Sequence, residues 1–207
     1  MLFRSRGQRL KSGNTCTLSL VEIGGKPIVV KRYNLKNLWH SLNRALRPSR
    51  AAACWAHAHR LAIYGIATAT PIALLEKRCG PFRRQAYFLA EYIEAPDVAQ
   101  FFADTTVSAL QKAEAARNIA SLFCKLYRLQ LEHGDFKATN MKMVNGRPLL
   151  LDLDSMRQRS LNLPFVKRHT RDLRRFMRNW QQDAVTSDLL NTALRNAYCD
   201  AHLQRFI

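Results

Sequence analysis

His133-Gly-Asp-Phe-Lys-Ala-Thr-Asn140 is followed about a dozen residues later by Leu150-Leu-Asp-Leu-Asp154. Asp135 and Asn140 stand one short loop apart. Met141-Lys-Met-Val144 and Leu149-Leu-Leu-Asp152 flank Asn145-Gly146, the strongest short hairpin signal, and such a hairpin returns Asp152 to the neighbourhood of Asn140. Three oxygen side chains are thereby gathered. Phosphoryl transfer needs that set: a carboxylate to orient or deprotonate a hydroxyl, with an amide and a second carboxylate to hold Mg2+ on nucleotide phosphates. Taken singly, Asp and Asn are turn formers. Their order and spacing carry the chemistry.

Working outward, Val107 to Leu131 predicts a long amphipathic helix with Ile119, Leu122, Phe123, Leu126 and Tyr127 as its apolar stripe, and the chain from Arg157 onward reads as mostly helical and basic. The first half is different in character. Thr15 to Ile23 and Pro27 to Tyr33 alternate as strands around Gly24-Gly25. Ser49 to Tyr64 predicts a helix capped by Gly65, with Ala53, Trp55, Ala56, His59, Leu61 and Ala62 close together on the wheel. Ala69 to Leu75 and Gln85 to Ile93 read as two further strands around Cys79-Gly-Pro81. The expected class is α+β with two lobes: residues 1–95 as a small antiparallel sheet with one helix, and residues 96–207 as a mainly helical lobe carrying the acidic loop and hairpin.

Composition narrows the partners. The 207 residues carry 33 Lys plus Arg against 15 Asp plus Glu, a formal charge of +18, so an anionic partner is expected: nucleic acid, membrane or phosphorylated metabolite. With 47% hydrophobic residues the chain can build a core. No apolar run is long enough to span a bilayer, and the start lacks the apolar segment of a secretory signal, which makes a cytoplasmic protein the default. Five widely spaced cysteines, Cys16, Cys54, Cys79, Cys124 and Cys199, form no CxxC pair and read as reduced thiols.

The companions of the acidic loop are in kinase order. Lys31 ends an apolar strand where a kinase places the lysine for the α- and β-phosphates. Gly13, Asn14, Thr15 and Thr17 lie on the preceding turn, where backbone N–H groups would cover phosphates. Lys137, two residues after Asp135, would neutralise γ-phosphate charge. His133 orients the loop in this reading. His57 and His59 point to different faces of a helix and do not suggest a shared metal.

These segments resemble the bacterial lipopolysaccharide kinase family, the Kdo and heptose kinases of the core oligosaccharide, relatives of protein kinases. The resemblance rests on Leu10 to Thr15, Val29 to Asn34, Gly65 to Pro71, Leu89 to Ile93, His133 to Asn140 and Leu150 to Met156. It implies a protein-kinase-like fold, Asp135 as catalytic base, Asn140 and Asp152 as magnesium ligands, Lys31 as the ATP phosphate ligand, and Glu91 to Ile93 as a hinge meeting adenine through the main chain. It further implies ATP and Mg2+ as cofactors and a core glycolipid or other phosphorylated sugar as acceptor. The location would be peripheral, at the cytoplasmic face of an inner membrane.

Two departures stand out. The helix over Ser49 to Tyr64 contains no acid to pair with Lys31, the expected place falling near Cys54 and Trp55, and the phosphate turn holds one glycine. The alternative readings are a small RIO-like protein kinase, or a pseudokinase or anion-binding module without catalysis. Nucleic acid is the less favoured partner because no recognition motif is present, and no obligate protein partner is called for. The basic segments Arg44 to Arg47, Lys77-Arg78 with Arg83-Arg84, and Lys167 to Arg175 are expected to meet an anionic membrane. The helix from Arg168 to Trp180 is read as a core helix in preference to an interfacial one.

Overall fold

The structure, a computed structural model, describes residues 8–12, 16–33, 48–80, 82–159 and 162–198. Cys199, the segment Arg44 to Arg47 and the phosphate-turn residues Gly13, Asn14 and Thr15 lie outside the described residues. The chain forms two compact units, Met1–Ile93 and Glu94–Ile207.

The first unit is built on a five-stranded antiparallel sheet of β1 (Gln8–Ser12), β2 (Cys16–Ile23), β3 (Lys26–Tyr33), β4 (Pro71–Cys79) and β5 (Phe82–Glu91), in the order β1-β2-β3-β5-β4. In β3 the apolar residues are set by the strand period: Ile28 and Val30 are buried with Leu89 of β5, against Val21, Ala73 and Tyr87. Lys31 and Tyr33 share the opposite face by the same period, and the Lys31 ammonium lies 5.5 Å from the centre of the Tyr33 ring. Helix α1 (Arg50–Ile63) begins where the Ser49 hydroxyl accepts the Ala52 N–H at 2.9 Å. It ends in a Schellman closure, with Gly65 N–H on Ala62 O and Ile66 N–H on Leu61 O, for which Gly65 takes φ 61°.

The face that α1 buries differs from the expected one. Ala51, Cys54, Ala58 and Leu61 are covered, whereas Trp55 is half-buried and Ala56 and Ala62 are exposed. Small residues at i, i+3 and i+7 let the helix approach the sheet closely, and Leu61 at i+10 completes the buried face. Trp55 instead stacks edge-on with His59, ring centres 4.5 Å apart.

The second unit holds α2 (Val98–Ala103), α3 (Ala109–Arg128), β6 (Leu131–Glu132), the hairpin β7 (Met141–Val144) and β8 (Arg147–Leu150), β9 (Arg157–Gln158), α4 (Asn162–Met177) and α5 (Ala184–Ala197). Helix α2 was not expected; its signal is the capping box Asp97 with Gln100, each side chain bonding the other's backbone N–H. Helix α3 is shorter than the apolar periodicity suggests. A second capping box, Ser108 with Gln111, starts it, and Gln130 at φ 53° turns the chain into β6.

The apolar stripe of α3 buries Ile119, Leu122, Phe123 and Leu126, with Tyr127 half-buried. Phe123 stacks on Phe136 with centres 4.4 Å apart and tilts against Phe176 of α4 at 5.3 Å. Leu173, Phe176 and Trp180 are likewise buried, so the apolar side chains of the Arg168 to Trp180 segment belong to this core. Each Phe in such a cluster contributes roughly 1.5–3 kcal/mol by leaving water. Phe136 belongs to the acidic loop, so that loop is nailed to the core from beneath.

Candidate active site

The acidic loop is fixed by four separate devices. The first is backbone conformation. Gly134 has φ 80°, and a Cβ there would stand 2.8 Å from the Ser155 carbonyl oxygen and 2.9 Å from its Cβ. Glycine is therefore required at the middle of His-Gly-Asp on two counts, handedness and space.

The second device is Asp172 of α4. This buried carboxylate accepts the His133 N–H at 2.8 Å and the Gly134 N–H at 3.1 and 3.2 Å on its two oxygens. Burial pushes its pKa up, while those two backbone donors and the nearby His133 ring pull it back. The third is His133 itself. Its Nε2–H donates to Leu151 O at 2.9 Å, and its ring lies 5.0 Å from that of Phe136. Burial holds its pKa below the ordinary value, so the ring is neutral and Nδ1 has no hydrogen-bond partner. The ring thus ties the loop to the strand end that leads into Asp152, as the sequence reading expected of an orienting residue.

The fourth device is Asn140. Its Nδ2 donates to the Asp135 carbonyl at 2.8 Å and approaches Asp135 Oδ2 at 3.4 Å, while its own carbonyl accepts the Leu151 N–H at 2.9 Å. One asparagine therefore connects Asp135 to the residue preceding Asp152. The hairpin between them closes through Asn145 and Gly146, at φ 50° and 72°, as a two-residue turn of the kind that asparagine and glycine favour. Asp152 itself takes φ 55° and ψ 59°, an uncommon conformation for a side-chain-bearing residue and one that Asp tolerates better than most. Asp154 follows in the first turn of a short 3-10 segment.

Asp135 is partly exposed, and its Oδ1 meets two cations: Arg175 Nη2 at 2.5 Å and Lys137 Nζ at 3.4 Å. Lys137, expected from the sequence to meet γ-phosphate charge, lies beside the loop carboxylate in this structure. Arg175 and Asp172 were both missed. The run Lys167 to Arg175 reads as a basic surface, yet it contains a single acid, and that acid is the one that is buried. A lone Asp flanked by cations and a leucine was the signal available; nothing distinguishes Arg175 from its neighbours in sequence.

Glu132 was also missed. It is buried directly before His133, paired with Arg159 at 3.0 Å and approached by Arg168 at 3.7 Å. Thus Arg168, Asp172 and Arg175 of the same basic run have internal roles. Lys167, Arg171, Arg174 and Arg178 are exposed at i, i+4, i+7 and i+11 on one side, and Arg168 is exposed as well while reaching Glu132.

The first unit presents the other candidates. Lys31 lies at mid-sheet, opposite Leu18 in β2 and Phe88 in β5. The place of the expected helix acid holds Cys54, whose Sγ meets the Tyr33 hydroxyl at 3.2 Å. Glu91 and Tyr92 direct their N–H groups to Thr70 O and Pro27 O within the unit. Ile93 follows just beyond the strand end, and the Glu91 side chain is exposed.

For a magnesium ion the donor chemistry fits. Asn140 and Asp152 offer an amide oxygen and a carboxylate, hard donors joined by one backbone hydrogen bond across Leu151. Among the described residues no trio of His, Cys, Asp or Glu is arranged to hold a metal on its own. Such a pair needs phosphate oxygens and water to complete an octahedron, as Mg2+ commonly does.

Comparison with known proteins bears on this geometry directly. The family model described as the lipopolysaccharide kinase (Kdo/WaaP) family matches residues 4–202, nearly the whole chain. The chain belongs to the lipopolysaccharide kinase (Kdo/WaaP) family. No curated protein matches it. Among solved structures, "WaaP in complex with acyl carrier protein" superposes with a TM-score of 0.69 at 18% identity, covering 97% of this chain and 81% of that one. That likeness establishes the protein-kinase-like fold. As a lipopolysaccharide kinase the protein is a phosphotransferase that acts on a sugar hydroxyl of the lipopolysaccharide core.

Proposed function

We propose that the protein transfers the γ-phosphate of ATP, with Mg2+, to a Kdo or heptose hydroxyl of the inner core, using Asp135 as the base. The observation that carries this reading is the double engagement of Asn140, which holds Asp135 on one side and the Asp152 strand end on the other. The acceptor oxygen forms a bond to the γ-phosphorus as the bond to the β–γ bridging oxygen breaks. Its proton passes to the Asp135 carboxylate, and ADP leaves.

Lys31 binds the α- and β-phosphates in this scheme, and backbone N–H groups of Gly13, Asn14 and Thr15 meet them too. The Glu91 carbonyl and the Ile93 N–H meet the adenine edge. Lys137 stabilises charge on the transferring group. Asn140 and Asp152 would hold the Mg2+, which when bound offsets charge on the phosphate oxygens.

The reading extends to a peripheral position at the cytoplasmic face of the inner membrane. Among the described residues no helix is long and apolar enough to cross a membrane. The exposed Lys167, Arg171, Arg174 and Arg178 support contact with anionic headgroups, each contributing on the order of 1 kcal/mol near such a surface. The test is transfer of labelled γ-phosphate to dephosphorylated core glycolipid in the presence of Mg2+. Asp135→Asn is expected to lower kcat by roughly 100-fold or more. Equal turnover by wild type and Asp135→Asn sinks the assignment of the base.

A further inference from the structure

The proposed base is a carboxylate whose two oxygens live in different surroundings. Oδ1 of Asp135 is closed off from solvent and has no aligned hydrogen bond, although Arg175 Nη2 stands 2.5 Å away and Lys137 Nζ 3.4 Å away. The contact is therefore one of charge against charge. The side chain as a whole keeps 26% of its surface, and with Oδ1 sealed the only polar atom able to present that surface is Oδ2. Oδ2 lies 3.4 Å from the Asn140 amide, on the side of the proposed metal ligands.

A free carboxylate turns about its last bond with little preference, which interchanges the two oxygens. A cation fixed at one oxygen resists that turn. Arg175 is well placed to stay fixed. It sits one turn after Asp172, so one face of α4 grips the loop twice, by its backbone at His133 and Gly134 and by its side chain at Asp135. The neighbouring Phe176 is fully buried against Phe123 and Phe136. The Arg175 carbonyl also accepts the Asn179 amide at 3.2 Å.

We infer that Arg175 is a positioning residue for Asp135: its guanidinium occupies Oδ1 and so turns Oδ2 toward the acceptor hydroxyl. Lys137 touches the same oxygen from a more exposed side chain at a longer distance, which leaves it able to move onto phosphate while Arg175 stays. The inference rests on the reading of Asp135 as the base and adds to it the choice of oxygen and the group that makes the choice.

The experiment is steady-state transfer from Mg-ATP to dephosphorylated core glycolipid by Arg175→Gln, Arg175→Lys, Asp135→Asn and the double variant Arg175→Gln with Asp135→Asn. Arg175→Gln is expected to lower kcat roughly 10- to 100-fold, with KM for both substrates within about threefold of wild type. Arg175→Lys, which keeps the charge, is expected to recover most of that loss. In the Asp135→Asn background the same Gln change is expected to cost nothing further, because its effect passes through the carboxylate.

Two results overturn the inference: a rise in acceptor KM at unchanged kcat, which makes Arg175 a substrate contact, or an equal proportional loss in both backgrounds. Wild-type turnover by Asp135→Asn is a separate failure, that of the base itself. Should Arg175→Gln fail to fold, as judged by its thermal transition, the folded Lys variant decides: kcat within tenfold of wild type supports the inference, and a larger loss counts against it.

Discussion

The two units hold their candidate residues in opposite ways. In the second, Asp135 and Asn140 sit on a loop fixed by Asp172, His133, a glycine with no room for a side chain, and a phenylalanine in the core. In the first, Lys31 stands on a strand with its ammonium 5.5 Å from the centre of the Tyr33 ring, and the helix packed beside that strand offers Cys54 to the Tyr33 hydroxyl and carries no acid along its length. The lesson concerns where precision is needed. A base must meet one hydroxyl proton within a few tenths of an ångström, whereas a lysine against phosphate acts as a mobile point charge.

The sharpest way to break this comparison is to cut the buried anchor. Asp172→Ala leaves the His133 and Gly134 N–H groups without their acceptor, and about 3 kcal/mol or more of stability should go with them. Turnover should fall roughly 100-fold as the loop shifts. Asp172→Asn, which keeps one acceptor oxygen, should lie between Ala and wild type in both thermal midpoint and kcat. An Asp172→Ala enzyme with near-normal turnover would show that the loop does not need its anchor.

The first unit supplies the next test. Lys31→Met keeps the apolar stem and removes the charge, so kcat/KM for ATP should drop roughly 10- to 100-fold. Cys54→Ala should change kcat/KM for ATP by less than about threefold, since a thiol on a tyrosine hydroxyl does not steer an ammonium. A large ATP-specific defect in Cys54→Ala would mean that the cysteine serves in place of the missing acid.

A further expected effect is on stability against pH, and it arises from two buried histidines of the second unit. Burial holds His169 down to about 4, against 6.5 for a free histidine, within a nest of Phe123, Tyr127, Phe165 and Tyr198, and it holds His133 down as well. The unfolded chain binds these protons first, so stability is intact above pH 6.5 and declines as pH falls from there toward 4. His169 accounts for on the order of 1–3 kcal/mol of that decline. Denaturant titrations between pH 7 and pH 4 should show a shallower decline for His169→Phe, at the cost of the Tyr198 hydroxyl's partner. Parallel slopes would remove His169 from the account.

Much of this was legible in the sequence because the signals were local. Strand alternation, Gly24-Gly25, Asn145-Gly146, Ser49 and Gly65 each act over a few residues, and the hairpin could be placed from two of them alone. The ends of α3 and the existence of α2 depended on reciprocal capping bonds, which apolar periodicity does not reveal. The buried face of α1 was not legible because alanines lie on both sides of the helix, and only contact with the sheet separates Ala51, Cys54 and Ala58 from Ala53, Ala56 and Ala62. Asp172, Arg175 and Glu132 were hidden for a different reason. A charged residue is read as solvent-facing unless its partner is known, and their partners stand between 27 and 40 positions away in the chain.

The hairpin between Asn140 and Asp152 has a further consequence, for how such a chain can change in length over time. Its strands pair Met141 with Leu150 and Val144 with Arg147, so the gap between the two proposed metal ligands is set by cross-strand pairing and not by the count of residues between them. Lengthening at Asn145-Gly146 would leave that gap alone, though it would strain the Asn118 bond to the Gly146 carbonyl at 2.8 Å. Removing one residue from a single strand would instead turn every later side chain to the other face. Lineages of this chain should therefore tolerate growth at the tip and resist any unpaired loss along its sides.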